Sequence, residues 1–143
     1  MPLGNRRKAR ECALQALYDI EFNPVERGRD LELRLADYWA CFPEPGTIDD
    51  EVQDFANSLV RGVCEHFDDI DRLIQKASTN WKLERMALVD RNILRLATYE
   101  LRFLSDIPHK VTLNEAIEIG KRYGSEDSSA FINGILDKIA GAK

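Results

Sequence analysis

Apolar residues recur along this chain at steps of three and four, and no stretch alternates with the two-residue period of a half-buried strand. The pattern predicts an all-α protein of about seven helices. The first runs over residues 6–22, with Ala9, Ala13, Ala16, Leu17 and Ile20 as its buried stripe and Asn5 as its N-cap, and stops at the turn pair Asn23-Pro24. A second covers "DLELRLADYWACF". The prolines and glycine of "PEPGT" end it, and Thr47 or Asp49 can cap a third helix, "DDEVQDFANSLVRGVCEHF", whose stripe is Val52, Phe55, Leu59, Val63 and Phe67.

A short fourth helix, "DDIDRLIQKA", leads into "STNWKLERM", where Trp81, Leu83 and Met86 are expected to pack the chain back onto its core. The most regular segment follows: "ALVDRNILRLATYELRFL" places Val89, Ile93, Leu96, Ala97, Leu101 and Leu104 on one stripe, as a central helix should. Pro108 separates it from "TLNEAIEIGKRYG". Gly124 then ends that helix, and Ser125 is expected to cap the last, "EDSSAFINGILDKIA".

At 143 residues the chain fits one domain spanning 1–143, large enough for an ordinary core without staples. Its three cysteines, Cys12, Cys41 and Cys64, show no metal-ligand spacing and read as small buried thiols of a reducing, cytoplasmic compartment. No apolar run reaches the roughly 18 residues of a membrane span, and no signal-peptide block opens the chain. Charge is uneven. The net value is −5, but residues 1–10 hold four cations and no acid, leaving −9 on the other 133. An acidic body repels polyanions, so nucleic acid would have to be held by a local basic patch.

Signals of catalysis and of metal binding are weak. "GKR" at Gly120 lacks the glycine spacing and the hydroxyl of a phosphate loop, and His109 has no nucleophile paired with it in a known signature. The run Cys64-x-His66-x-Asp68 lacks the spacing of a zinc site and fits a helix surface. The acidic runs at 49–51 and 68–71 fall in first turns of helices, where negative charge suits the helix dipole without any calcium. No cofactor, metal or catalytic residue is expected.

Three features carry candidate binding chemistry. Arg6, Arg7, Lys8 and Arg10 stand at the start of the first helix, where each cation opposes the dipole at a cost of about 0.3–1 kcal/mol. Arg7, Glu11, Leu14 and Tyr18 repeat at 4, 3 and 4, which sets a cation and an aromatic about 16 Å apart on one face. That spacing suits single-stranded RNA, with phosphates on the cations and a base on Tyr18, and equally suits a frayed basic terminus beside a core-edge tyrosine. On the last helix Phe131 lies at the stripe's edge with Asp127 one turn earlier, able to stack on a base or simply to fill the core. The outer face of the central helix repeats Arg91, Arg95, Thr98 and Arg102, with Glu84 and Asp90 just upstream; mixed charges there fit a protein partner or a solvated face.

The stretches "RRKARECALQALYD", "RNILRLATYEL" and "IPHKVTLNEAIEIGKRYGSEDSSAFINGILDKIA" together resemble the NusB family of bacterial transcription antitermination factors. The resemblance covers both ends and the central helix and is silent over residues 23–50. It implies two small packed helical bundles without enzymatic activity. It implies further that the protein pairs with NusE, a ribosomal protein of the small subunit, and that the pair binds the boxA element of nascent ribosomal RNA and helps RNA polymerase resist termination, with RNA polymerase and other antitermination factors as indirect partners. By motif position it assigns RNA contacts to Arg6, Arg7, Lys8, Arg10, Tyr18, Asp127 and Phe131, and the NusE-facing surface to Glu84, Asp90 and Arg95.

Lys8 stands where arginine is common in that family, and Gly120 where alanine is, a local weakening of about 1 kcal/mol. Two other classes compete. A NusB-like targeting module of an RNA methyltransferase would need a catalytic domain for which the chain, ending soon after "ILDKIA", leaves no room. A helical oligomer that buries its own charged faces would bind no RNA through them.

Overall fold

The computed structural model describes residues 3–22, 29–41 and 48–141, and among them it contains seven α-helices, one short 3-10 helix and no strand. The turn pair Asn23-Pro24, the "PEPGT" break and the Thr47 cap lie outside the described residues. The chain divides into two compact units, residues 1–64 and 65–143.

The first unit holds α1 (Leu3–Phe22), α2 (Arg29–Ala40) and α3 (Asp50–Glu65), the last residue of which passes into the second unit. α1 is alanine-rich and free of β-branched residues until Ile20, so its backbone favours the helix strongly. Ala9, Ala13, Ala16 and Leu17 are buried as the periodicity requires, and Leu14 joins them. α2 is tied to its neighbours by side chains. Tyr38 Oη donates to Gln15 Oε1 at 2.9 Å, Arg34 pairs with Asp19 at 3.1 Å, Trp39 Nε1 donates to Asn57 Oδ1 at 2.8 Å, and Arg61 grips Glu32 through two bonds of 2.8 and 2.7 Å. Asp49 precedes α3 and its carbonyl accepts the Gln53 amide at 3.0 Å, while Asp50 and Glu51 occupy the first turn.

The second unit holds α4 (Phe67–Ala77), the 3-10 turn Leu83–Arg85, α5 (Leu88–Phe103), α6 (His109–Tyr123) and α7 (Ser128–Gly141). A single residue, His66, separates α3 from α4; it is the N-cap, its carbonyl accepting the Ile70 amide at 2.9 Å. Asp68 and Asp69 stand in the first turn of α4. α5 is the central helix of this unit, buried around most of its circumference rather than along one stripe. Its interior positions include Asp90, Asn92, Arg95, Thr98 and Glu100 as well as Ile93, Leu94, Leu96, Ala97 and Leu101. Burying such groups requires partners, and Glu100 receives a 3.1 Å hydrogen bond from Thr112 Oγ1 of α6.

Pro108 caps α6, its carbonyl accepting the Val111 and Thr112 amides, so the helix starts at His109, three residues ahead of the expected "TLNEA". Gly120 is buried where α6 meets α7: a Cβ there would stand 3.1 Å from Ile132 Cδ1. Glycine's helix penalty therefore comes with a close helix approach, and alanine would need Ile132 to shift by a few tenths of an ångström.

Candidate functional site

α1 begins at Leu3, so Asn5 lies inside the helix instead of capping it, and Arg6, Arg7 and Lys8 stand beyond the first three helical positions. Because the dipole's influence falls off within one turn, the predicted conflict between cations and helix is largely removed. The four cations then separate by face. Arg6, Arg10, Ala13 and Leu17 follow steps of 4, 3 and 4, which puts two of the cations on the buried stripe. Arg6 Cζ lies 5.2 Å and Arg10 Cζ 5.7 Å from the ring centroid of Phe55 on α3, within cation–π range. Arg10 is only 2% exposed. Its expected role as a phosphate contact is corrected accordingly: its guanidinium belongs to the interior, beside an aromatic ring.

Lys8 is exposed and Arg6 and Arg7 are half-buried, so these three present the positive charge of this helix start, Arg6 with its guanidinium also over Phe55. The single face drawn from Arg7 to Tyr18 is interrupted, since Leu14 within it is buried. Tyr18 is exposed and stacks obliquely on Phe22, ring centroids 5.1 Å apart at 55°. Phe22, 60% exposed, escaped the sequence reading, although its i, i+4 relation to Tyr18 was the available signal.

In the second unit the "GSEDSSAF" segment forms a turn into α7. Its framework is a serine relay: Ser128 Oγ donates to Asp90 Oδ1 at 2.7 Å and accepts the Ser125 amide at 2.9 Å, while the Ser128 amide donates to Ser125 O at 3.1 Å. The expected cap is thus reversed. Ser128, two residues later than the predicted helix start, supplies the hydroxyl, and Ser125 supplies the amide. Gly124 has φ −93°, an ordinary extended conformation, so left-handed geometry does not explain it. Space does. A Cβ at Gly124 would lie 2.3 Å from Ser128 Oγ and 2.8 Å from Gly120 O.

This framework leaves Asp127 exposed at the residue before α7, its carbonyl accepting the Phe131 amide at 3.1 Å, and Phe131 half-buried one turn on. Just upstream, Lys121, Arg122 and Tyr123 are exposed at the end of α6, with Arg122 Cζ 5.5 Å from the Tyr123 ring centroid. The sequence reading passed over this cation and aromatic cluster because "GKR" was weighed only as a phosphate loop.

The predicted partner surface is divided between surface and interior. Glu84 is exposed on the 3-10 turn. Asp90 is buried and holds Ser128, and Arg95 is buried in a bidentate pair with Asp71, Nε to Oδ1 at 2.8 Å and Nη2 to Oδ2 at 3.1 Å. Arg95 also donates to Asn92 Oδ1 at 3.0 Å and lies 4.5 Å over Phe67. Thr98 is fully buried, and Arg102 Nη2 donates to the Ile139 carbonyl at 3.1 Å. The expected outer face is therefore corrected to an interior polar seam, because repeated charge at helical spacing marks a buried ion-pair network as readily as a solvated stripe. Trp81 is the opposite case: expected in the core, it is 54% exposed. Its carbonyl accepts Gln75 Nε2 at 2.9 Å and Ser78 Oγ at 3.1 Å, so the loop backbone is held while the indole stays exposed.

His66 is half-buried at the N-cap of α4, and its ring stacks on the exposed Phe103 at 4.0 Å and 15°. Burial, helped by the negative charge of Glu65, pushes the nearby Tyr99 hydroxyl to a raised pKa. Of the thiols only Cys12 is buried, with its pKa raised by desolvation; Cys41 is exposed and Cys64 intermediate, which corrects the expectation for those two. Among the described residues no group of three or more metal-ligating side chains is present, and no helix is long and apolar enough to cross a membrane.

The family model described as "NusB family" matches residues 7–141. The chain belongs to the NusB family. Curated NusB relatives extend along nearly the whole chain: the transcription antitermination protein NusB of Myxococcus xanthus is 47% identical over 138 residues, 96% of each chain, and that of Geobacter sulfurreducens 53% identical over 96% of this chain and 95% of its own. In three dimensions the chain is similar to T. maritima NusB, with a TM-score of 0.83 and 44% identity over 99% of this chain and 92% of that one. It is also similar, with a TM-score of 0.80 and 25% identity over 99% and 100% of the two chains, to a chain in a solved structure of antitermination factors NusB and NusE in complex with double-stranded RNA. The NusB relatives are named as transcription antitermination proteins, not as enzymes.

Proposed function

We propose that this NusB-family chain is a transcription antitermination protein that binds RNA together with NusE, and that its RNA is the single-stranded boxA element of nascent ribosomal transcripts. The observation that carries the reading is the near-complete match to a chain from a solved NusB–NusE–RNA complex. RNA polymerase and the remaining antitermination factors are then indirect partners, and the setting is the cytoplasm.

The geometry supports this in each unit. Lys8 and Arg7 offer phosphate contacts, and the exposed pair Tyr18 and Phe22 offers ring faces. In the second unit Lys121 and Arg122 lie beside a rigid turn carrying Asp127 and Phe131. Accessible ring faces favour a single strand, whose bases can leave the helix and stack, over a duplex read by shape. Glu84 and the exposed indole of Trp81 offer an acidic group and an aromatic one to NusE, and tryptophan is among the residues enriched at interface hot spots.

The deciding experiment is a titration of boxA RNA, scrambled RNA of equal length and a matched duplex, each with and without NusE at fixed salt. BoxA should bind tightest, NusE should strengthen it, and raising salt should weaken all three. Equal affinity for boxA and scrambled strands would remove the sequence-specific part, and preference for the duplex would replace the single-strand reading.

A further inference from the structure

Asp90 was expected to face a protein partner, yet it is buried in the first turn of α5 and its Oδ1 accepts the Ser128 hydroxyl at 2.7 Å across 38 residues of sequence. That hydroxyl has its other role fixed as well. It accepts the Ser125 amide at 2.9 Å and lies 3.3 Å from Ser125 Oγ. A serine hydroxyl has a single proton, so donating to Asp90 orients its lone pairs toward Ser125. Gly124 completes the lock, because any side chain there would occupy the volume that Ser128 Oγ fills.

We infer that Asp90 is a positioning residue for RNA recognition: acting through Ser128, it holds the 125–131 turn in the one geometry that presents Asp127 and Phe131 together. Asp127 immediately precedes Ser128, and the Phe131 amide is bonded to the Asp127 carbonyl at 3.1 Å, so both side chains take their position from the relay. The inference rests on the proposed RNA reading of this turn. It differs from a direct contact in one respect that can be measured. Asp90 and Ser128 would touch neither phosphate nor base, so their loss should lower affinity without altering how affinity depends on salt, which counts the cations engaged.

The test uses the full chain with Asp90→Ala, Asp90→Asn, Ser128→Ala and the Asp90→Ala/Ser128→Ala double variant. Binding of boxA RNA, binding of NusE without RNA, and hydrogen exchange at the Ser125 amide are measured for each. Each alanine variant should weaken RNA binding about tenfold, the loss expected for one well-formed hydrogen bond. The salt slope and NusE affinity should stay at wild-type values, and the double variant should be no worse than the singles, because both break one relay. Asp90→Asn keeps an oxygen acceptor for the Ser128 hydroxyl and should remain within about twofold of wild type. Ser125 exchange should accelerate in the alanine variants and not in Asp90→Asn.

The inference is overturned if Asp90→Ala leaves RNA affinity and Ser125 protection intact, if the single losses add in the double variant, or if NusE binding falls while RNA binding does not. Should Asp90→Ala fail to fold, Ser128→Ala and Asp90→Asn decide by the same criteria. If the wild-type chain binds no RNA, the functional reading fails, and Ser125 exchange alone decides whether Asp90 locks the turn: retained protection in Asp90→Ala overturns the lock, and lost protection upholds it.

Discussion

The two segments that carry the candidate RNA contacts are built on different physics. At the start of α1 the groups that remain accessible, Arg6, Arg7 and Lys8, are long cations, the first two half-buried and Lys8 exposed on the helix surface. At the entry to α7 the groups are short, and their backbone is wired by bonds of 2.7 and 2.9 Å to a buried carboxylate. A flexible cation attracts any phosphate, whereas a fixed turn can reject a base that does not fit. On the proposed RNA reading, the comparison separates a charge-based contribution at α1 from a shape-based one at the α7 entry, and variants in each segment test that separation.

The most severe disturbance lies under the second segment. Arg95, 5% exposed, relies on Asp71 for a bidentate pair, and breaking a buried pair by removing one partner leaves a charge without its counter-charge. Asp71→Ala should cost about 3 kcal/mol, the lower end of the usual range because Asp71 itself retains 20% side-chain exposure. Urea denaturation should show the midpoint falling at constant slope, and a loss below about 0.5 kcal/mol would mean the pair behaves as a surface bridge.

Gly124→Ala acts on the turn itself. Its added Cβ meets a backbone carbonyl as well as Ser128, and a carbonyl inside a helix cannot swing aside as a flexible side chain can. Overpacking of this kind costs about 1–3 kcal/mol, and displacement of Ser128 should weaken boxA binding at the same time. Retained stability and retained RNA affinity together would show that the turn is adaptable, erasing the contrast with α1.

The first segment is broken differently. Lys8→Ala and Arg7→Ala should each reduce RNA affinity for boxA and scrambled strands alike and lower the salt slope by about one charge, with thermal stability nearly unchanged. Arg10→Ala should do the reverse, costing about 1–2 kcal/mol of stability through lost packing and the lost contact with Phe55 while barely changing the salt slope. A steep fall in salt dependence for Arg10→Ala would return that residue to the RNA surface.

Much of this was legible in the chain before its structure. The helices, the α7 stripe and the acidic first turns follow from local periodicity and dipole chemistry, whereas α5 is buried around most of its circumference instead of along the one expected stripe. What periodicity misjudged was the side of the helix to which a charge belongs. Arg10 shares a stripe with Ala13 and Leu17, a relation present in the spacing, but arginine is seldom buried and the charge drew the reading toward the surface. Arg95 and Asp90 depend on Asp71 and Ser128, 24 and 38 residues away, and no local pattern announces a partner at that separation. Gly124 ends its helix as expected, and volume, not a left-handed dihedral, is what requires glycine there. Trp81 was misplaced because an aromatic side chain was assumed to seek the core, whereas the hydrogen bonds of Gln75 and Ser78 fix its backbone and leave the ring in solvent.

The smallest effect concerns the surface tie between α2 and α3, which separates ordinary ion pairing from the buried pairing of Arg95. Two hydrogen bonds from Arg61 hold the Glu32 carboxyl below its usual pKa, and the same contact raises that of Arg61. A carboxylate with a depressed folded-state pKa stabilises above the ordinary carboxylate range and loses that contribution as pH falls through its folded value. Both side chains are about half exposed, so solvent screens the pair and Glu32→Gln should cost no more than about 0.5 kcal/mol at neutral pH. Thermal melts of wild type and variant should converge once the pH drops well below about 4 and should also converge at high salt. A difference that persists at low pH would assign the effect to packing of the Glu32 side chain instead of its charge. The matching comparison for Asp71 should behave otherwise under salt, because a pair removed from solvent is screened far less.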